Sequence, residues 1–407
     1  MPLAIKARHV FPVTAPPLTD AAVVIEGDRV VAVGEPPAGC EIRDLGTVAI
    51  LPGLVNCHTH LEFSDLHHVL GWPEIGFTEW IQRVIEFRHA RTVSVEHVIR
   101  RGLAECTRSG TTALGEIAQP GWPADPFTRA ALEAVVFLEL LAPVADRLDS
   151  TLAAAESHAA LVGTPGRWRP GLSPHAPYTV LETVLQRAAS MSHRGRIPLA
   201  MHLAESREEI ELLASGTGSL ADFLRQRQAA VGSHDRPAMK PLDFLRELAT
   251  ADRTLVIHGN YLDDEEMAFL AARSENMAVV YCPRTHAFFG HQRYPLEKML
   301  AMGVTVALGT DSRASNPDLS LLAEMRFVAR SYPELSRATI LQMGTLSGAQ
   351  ALGHREIGRL EPGAYADLAV VAIPDDAAAD PYELLLAGDL PVVATWFRGQ
   401  QVFVASH

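Results

Sequence analysis

Thr47-Val48-Ala49-Ile50-Leu51-Pro52-Gly53-Leu54-Val55-Asn56-Cys57-His58-Thr59-His60 is an apolar run that ends on two histidines two positions apart. Side chains at i and i+2 of a strand share one face, so both imidazoles can reach one point just beyond a buried strand. Later stretches repeat the arrangement singly. His202 follows Pro198 to Met201, His258 follows Thr254 to Ile257, and Asp311 follows Val304-Thr305-Val306-Ala307-Leu308-Gly309-Thr310. Potential metal donors therefore collect at strand ends drawn from distant parts of the chain.

Working outward, short apolar segments alternate with helix-length amphipathic ones, which predicts βα units around a parallel sheet. The strands are Leu54 to Cys57, Thr111 to Leu114, Ala134 to Leu138, Pro170 to Ser173, Pro198 to Met201, Thr254 to Ile257, Met277 to Tyr281 and Thr305 to Leu308. Such a series, with polar residues just after most members, predicts an α/β fold built on a (β/α)8 TIM barrel over residues 53–354, its chemistry at the C-terminal face. Residues 1–52 read instead as hairpin, with Ala22 to Glu26 and Arg29 to Gly34 flanking Gly27-Asp28. Residues 355–407 share that texture at Asp367 to Val371 and Pro391 to Phe397, so the two termini are expected to pair into a small composite β-sandwich. The 55 residues between His202 and His258 exceed one ordinary crossover. Glu208 to Ala214 and Leu220 to Gln228 have helical texture there, and this excess is expected to cover the barrel mouth.

Composition narrows the function. With 35 basic against 48 acidic residues the net charge is -13, the wrong sign for neutralising phosphates, so nucleic acid is not an expected partner. Cys40, Cys57, Cys106 and Cys282 are far apart and form no Cys-x-x-Cys pair, which argues against a disulfide framework or thiolate zinc site and fits a reducing cytoplasm. No basic segment leads into a long apolar stretch at the N-terminus, and no run of about eighteen apolar residues occurs, so neither a signal peptide nor a membrane partner is expected.

Imidazole nitrogen and carboxylate oxygen suit zinc or a similar divalent ion, and a catalytic site leaves one position for water. His58, His60, His202 and Asp311 provide that set. A plainer reading exists, because with 17 histidines a lone one is more often a hydrogen-bonded core or surface residue. Two histidines of matching phase directly after a buried strand are costly unless paired, which favours the metal. Asp311 could serve as a helix N-cap, but that explains none of the others. A two-metal version usually needs a carbamylated lysine, yet only Lys6, Lys240 and Lys298 exist and none lies between His60 and His202. Glu116 and Glu139 are the remaining carboxylates for a bridge. Cys57, out of phase with the histidines, reads as a packing residue.

These residues resemble the amidohydrolase superfamily, in the branch of amino-triazine hydrolases, guanine deaminase and adenosyl-type deaminases. The resemblance is carried by Pro52 to His60, Ser173-Pro174-His175-Ala176-Pro177-Tyr178, His202-Leu203-Ala204-Glu205, His258-Gly259, Gly309-Thr310-Asp311-Ser312 and Gly358 to Leu368. It implies one metal on His58, His60, His202 and Asp311, with His258 and Glu205 acting beside it. Leu61-Glu62-Phe63-Ser64 and Phe77-Thr78-Glu79-Trp80-Ile81 are most similar to aminodeoxyfutalosine deaminases. The chain departs from many relatives at Cys282-Pro283-Arg284-Thr285-His286, where they carry Cys-Pro-x-Ser-Asn.

The expected reaction is hydrolytic removal of an exocyclic amine from a purine-like ring, with ammonia released. Attack at an amidine-like carbon needs a proton on the adjacent ring nitrogen, and Glu205, three residues beyond a ligand, is placed to give it. The same division between metal and non-ligand glutamate operates in zinc deaminases of unrelated fold. Asp311 is expected to take a proton from the attacking water, and His258 to orient that water and stabilise the tetrahedral oxygen. Glu205 could instead be a helix-start carboxylate beside Glu208 and Glu209. Substrate contacts are sought at His175, at Arg284 and Arg313 for a carboxylate, and at Trp80 and Glu86 for a ribose or ring. The partners are thus a small heterocyclic amine and water, and the sequence is compatible with a homo-oligomer. Zinc is the first choice of metal, with iron and manganese also accepting such ligands. Rival readings are a guanine deaminase, a triazine aminohydrolase or chlorohydrolase, a cyclic-amide or imidazolone hydrolase, and a non-catalytic barrel kept as a scaffold.

Overall fold

The computed structural model describes residues 1–227, 238–376 and 378–405. Gln228, expected to end a helical stretch, and Ser406 and His407 of the C-terminal range therefore lie outside the described residues. Eight strands, Leu54–Thr59, Thr111–Ala118, Glu133–Leu140, Trp168–Pro174, Pro198–Leu203, Arg253–His258, Met277–Tyr281 and Val306–Leu308, follow one another round a single sheet. All neighbouring pairs are parallel. Nearly every strand residue is buried, as a sheet covered by helices on one face and filled on the other requires. Each expected stretch is present. The second and third strands run on through Glu116 and Glu139, where polar residues end the apolar runs but not the hydrogen-bonded ladder.

The first and last strands are joined by the residues around the histidine pair. Asp311 N donates to His58 O at 2.9 Å, giving a parallel bridge between Thr59 and Asp311. Below it, Asn56 Nδ2 donates to Thr310 Oγ1 at 2.8 Å while Thr310 N donates to Asn56 Oδ1 at 3.1 Å, with both residues wholly buried. Gly309 allows this approach, since a Cβ there would stand 2.7 Å from His58 Cβ and 3.1 Å from His58 N. Gly309→Ala is accordingly expected to push the two strands apart. Overpacking of this kind costs about 1–3 kcal/mol, and displacing His58 by a fraction of an ångström is expected to lower turnover on the order of 10²-fold. Urea unfolding and steady-state kinetics on the same preparation check both.

The terminal segments build one mixed sheet of eight strands. Val48–Pro52 lies between Leu3–Val10, its parallel neighbour, and Leu368–Ala372, its antiparallel one, so the chain ends interleave as expected. The structure makes this a single hydrogen-bonded sheet, with Ile5, Val23, Ile50, Leu368, Val370 and Trp396 gathered into one apolar cluster. Val48–Pro52 passes through Gly53 straight into the first barrel strand, so the opening stretch belongs to both sheets. Among the described residues no helix is long and apolar enough to cross a membrane.

Candidate active site

The histidines and Asp311 meet at the C-terminal ends of the barrel strands. Ring centroids of His58 lie 4.8 Å from His60, 4.9 Å from His202 and 5.5 Å from His258. His58 Nε2 is 3.5 Å and His60 Nε2 3.7 Å from Asp311 Oδ1. His58, His202 and His258 can each bring one nitrogen within 4.8 Å of the others, and so can His58, His60 and Asp311 in ligand atoms. His58 belongs to both triads.

The hydrogen-bond pattern fits a cation. Both ring nitrogens of His58 and Nδ1 of His60 are buried without a partner among the described residues, an arrangement that costs free energy unless something else engages them. His202 Nδ1 faces the His175 carbonyl at 3.1 Å, which fixes the tautomer with Nε2 available as a ligand. Burial holds His60 and His258 neutral, each lowered to about 3, and pushes His202 well below the ordinary histidine value. Burial works against ionising Asp311, yet the neighbouring imidazoles, His58 first and then His60 and His258, hold it below the usual carboxylate range. Neutral imidazoles and an ionised carboxylate are the protonation states a divalent metal takes.

Backbone strain accompanies the site. Ala204, His258 and Asp311 are non-glycine residues with φ of +54°, +68° and +58°, a left-handed conformation that persists only where surrounding contacts hold it. Glu209 holds the first of these, accepting from Ala204 N at 2.9 Å and Glu205 N at 2.8 Å, while Ser206 caps the helix Arg207–Ser215. This turns Glu205 inward. Its Oε1 stands 3.4 Å from His258 Nε2, and burial first, then the charge of Asp311, raises its pKa well above the ordinary value. A buried carboxyl that holds its proton above the ordinary range beside an ionised one is a division suited to giving and taking protons.

A cavity of about 280 Å³ opens above the cluster, near the lower end of ligand-pocket sizes. Its floor includes His60, His202, Glu205, His258 and Asp311, and its walls are largely apolar, with Phe77, Trp80, Tyr178 and Leu224 among them. The helices Phe77–Ala90 and Ser219–Gln226 supply much of the cover, so the long segment after His202 does reach the mouth. His175 lines the wall with Nε2 3.8 Å from Glu139 Oε1. Trp80 lines it too, anchored by Nε1 donating to Ala314 O at 3.2 Å.

Three residues sought for substrate contact are placed elsewhere. Arg284 donates to Glu324 at 2.6 Å and Asp318 at 2.7 Å, Arg313 donates to Glu105 at 2.7 Å and Leu66 O at 2.8 Å, and exposed Glu86 accepts from Gln82 at 2.6 Å. None of the three lines the cavity. Proximity to Asp311 and to the seventh strand in sequence could not reveal these carboxylate partners. The cavity's own cations are Arg88, paired with Glu62 at 2.7 Å, and Arg227, whose guanidinium lies 3.8 Å over the Phe223 ring. Sequence reasoning missed both, and their only signal is membership of segments expected near the mouth. Of the carboxylates weighed as metal bridges, Glu116 accepts from Thr59 Oγ1 at 2.6 Å and Leu61 N at 3.0 Å, which ties the first two strands together. Glu139 lines the cavity, and although burial opposes it, His175, Arg88 and His60 hold it ionised. Cys57 packs against the Gly348 carbonyl, its thiol pushed up by burial.

A barrel with this donor cluster at its C-terminal face, under an apolar cover, defines a metal-dependent hydrolase. The Amidohydrolase family matches residues 49–402, and the chain belongs to that family. It is 29% identical to an aminodeoxyfutalosine deaminase of Deinococcus radiodurans over 82% of this chain and 81% of that one. It is 30% identical to a 5-methylthioadenosine/S-adenosylhomocysteine deaminase of Moorella thermoacetica over 90% and 85%. In three dimensions it resembles Helicobacter pylori aminofutalosine deaminase in complex with methylthio-coformycin, with a TM-score of 0.85 over 98% of this chain and 100% of that one at 23% identity. An adenosine deaminase from Xanthomonas campestris with bound zinc gives a TM-score of 0.79 over 99% and 93% at 27% identity. The chain is an enzyme that hydrolyses carbon–nitrogen bonds in small molecules.

Proposed function

We propose that this enzyme removes the 6-amino group of a purine nucleoside whose 5′ side bears an extended, partly apolar group, with 6-aminodeoxyfutalosine the first candidate. The observation that carries the reading is Glu205, a buried carboxyl aimed into the cavity 3.4 Å from His258 and next to the imidazole cluster. Ring opening of a cyclic amide has no need of an acid aimed at a ring nitrogen, whereas deamination of an aromatic amidine does. The relatives' names agree with this choice.

His58, His60, His202 and Asp311 hold the divalent ion, zinc by preference. When bound, such an ion supplies Lewis acidity and lowers the pKa of water to about 7. Glu205 gives its proton to the ring nitrogen beside the amine-bearing carbon. Asp311 accepts a proton from the attacking water, and His258 orients that water and donates to the developing oxygen. Asp311 is itself oriented by Ser312 N, which donates to Oδ1 at 2.8 Å. The proton it holds passes to the departing amine and the remaining hydroxyl proton of the tetrahedral carbon returns to Glu205, so amine and water become carbonyl and ammonia. His175 and Glu139 hydrogen-bond the nucleoside, Trp80 and Phe77 cover it, and Arg227 meets an anionic substituent near the mouth.

A substrate panel tests this. With metal-loaded enzyme, 6-aminodeoxyfutalosine and 5′-methylthioadenosine are expected to release ammonia with the ultraviolet change of adenine-to-hypoxanthine conversion, and guanine and amino-triazines to release none. Trp80→Ala is expected to raise KM about tenfold or more, the scale of losing a buried aromatic contact, with a smaller effect on kcat. Turnover of guanine alone, or of no amine-bearing heterocycle, overturns the proposal.

A further inference from the structure

A recess of about 750 Å³ lies at the opposite end of the barrel from the catalytic cluster. Arg169 and Arg253 open the strands that end toward His175 and on His258, and Pro198, also in the lining, opens the strand that carries His202. Six residues of strand span about 20 Å, so this recess and the metal site are separate. Arg194, Arg196 and Arg355 complete a ring of five guanidiniums, with Asp252 as the acidic member of the lining.

Arginines at this end of a barrel have an ordinary role, since helix C-termini face it and carry partial negative charge. Arg253 fills that role, donating to Gln350 O at 2.7 Å and Glu275 O at 3.3 Å, and Arg169 donates to Leu352 O. Three helices end at this rim, Glu182–Gly195, Pro241–Leu248 and Leu346–Leu352, and supply together about one and a half negative charges. Asp252 adds one more, against five permanent positive charges. An excess of about two to three remains. Among the described residues none of the five forms an ion pair within 4.0 Å, although acidic residues outnumber basic ones in the chain. Arg194, Arg196 and Arg355 make no side-chain hydrogen bond there either, and the buried Nε of Arg169 is unpartnered. Burial, and for Arg169 next the nearby Arg253, holds these two guanidiniums below their ordinary pKa.

We infer that this recess binds a small polyanion of the phosphate-chain class, held by forked contacts from Arg169, Arg194, Arg196, Arg253 and Arg355. Guanidinium forks match phosphate oxygens in pairs, and several around one concavity favour a ligand with more than one phosphate. The acidic balance of the whole chain disfavours a long nucleic acid and leaves a compact anion as the occupant. The inference is independent of the identity of the deaminated substrate.

Isothermal titration of the metal-loaded, full-length enzyme at low ionic strength with inorganic tripolyphosphate, ATP and a single-stranded oligonucleotide tests it. Tripolyphosphate is expected to bind saturably with one ligand per chain, and added salt to weaken it. Arg194→Glu with Arg355→Glu, both exposed and without hydrogen bonds, is expected to weaken binding about tenfold or more. Arg147→Glu, an exposed charge reversal away from the recess, is expected to leave it unchanged, and all variants to retain wild-type turnover. Weakening of ATP binding by the same double variant assigns recognition to the phosphate chain. No saturable binding, equal weakening by Arg147→Glu, or affinity that rises with oligonucleotide length overturns the inference.

Discussion

Glu205→Gln is expected to lower kcat/KM for the 6-amino nucleoside on the order of 10²–10⁴-fold while the metal content of the protein stays that of the wild type. The amide keeps the shape of the carboxyl and its place beside His258, so binding of the nucleoside is largely retained. It cannot give up a proton to a ring nitrogen. The loss should therefore appear in kcat and leave KM little changed, as for an interaction made only in the transition state. The pH profile gives a second readout. Burial and the charge of Asp311 keep Glu205 protonated above the usual carboxyl range, so the wild-type rate falls on the alkaline side as that proton is lost. The variant lacks this limb. Metal analysis, steady-state kinetics and the pH profile together check the assignment. Loss of the metal from Glu205→Gln would make the residue a ligand, and unchanged turnover would remove it from the reaction.

Chelation of the wild-type enzyme is expected to abolish turnover, by at least about 10⁴-fold, because the ion is the group that brings the pKa of water from 15.7 to about 7. Zinc should restore it, with iron and manganese as comparisons. The same treatment is expected to lower Tm. Ligand binding to the folded state alone stabilises by about 2.7 kcal/mol at a hundred times Kd, and His58 and His60 otherwise keep unpartnered buried nitrogens. His58→Ala should reproduce the effect most fully, since His58 is shared by both donor triads and is wholly buried. Full activity after exhaustive chelation, with no metal detected, would overturn the metal assignment. Chelation leaves the covalent chain intact, so it keeps the test meaningful if His58→Ala fails to fold.

Much of this protein could be read from local pattern. The eight barrel strands were legible because each is a short apolar run, and a strand covered on both faces must be one. The cluster of His58, His60, His202, His258 and Asp311 was legible because each follows such a run, and in a parallel barrel all strand ends point to one rim. The ends of the second and third strands were hidden, since Glu116 and Glu139 look like loop residues until Thr59, Leu61 and Gln119 are seen to bond them.

The sequence by itself determined the barrel, the interleaved terminal sheet and the residue types gathered at the rim, because hydrophobic period and strand direction are local properties that survive any detail of packing. Only the tertiary structure decided which cations face the cavity and which face carboxylates. Arg284 and Arg313 meet Glu324 and Glu105, 40 and 208 positions away, while Arg88 and Arg227 reach the cavity. Pairing of charges depends on distance in space, on which the spacing of residues along a chain places almost no constraint.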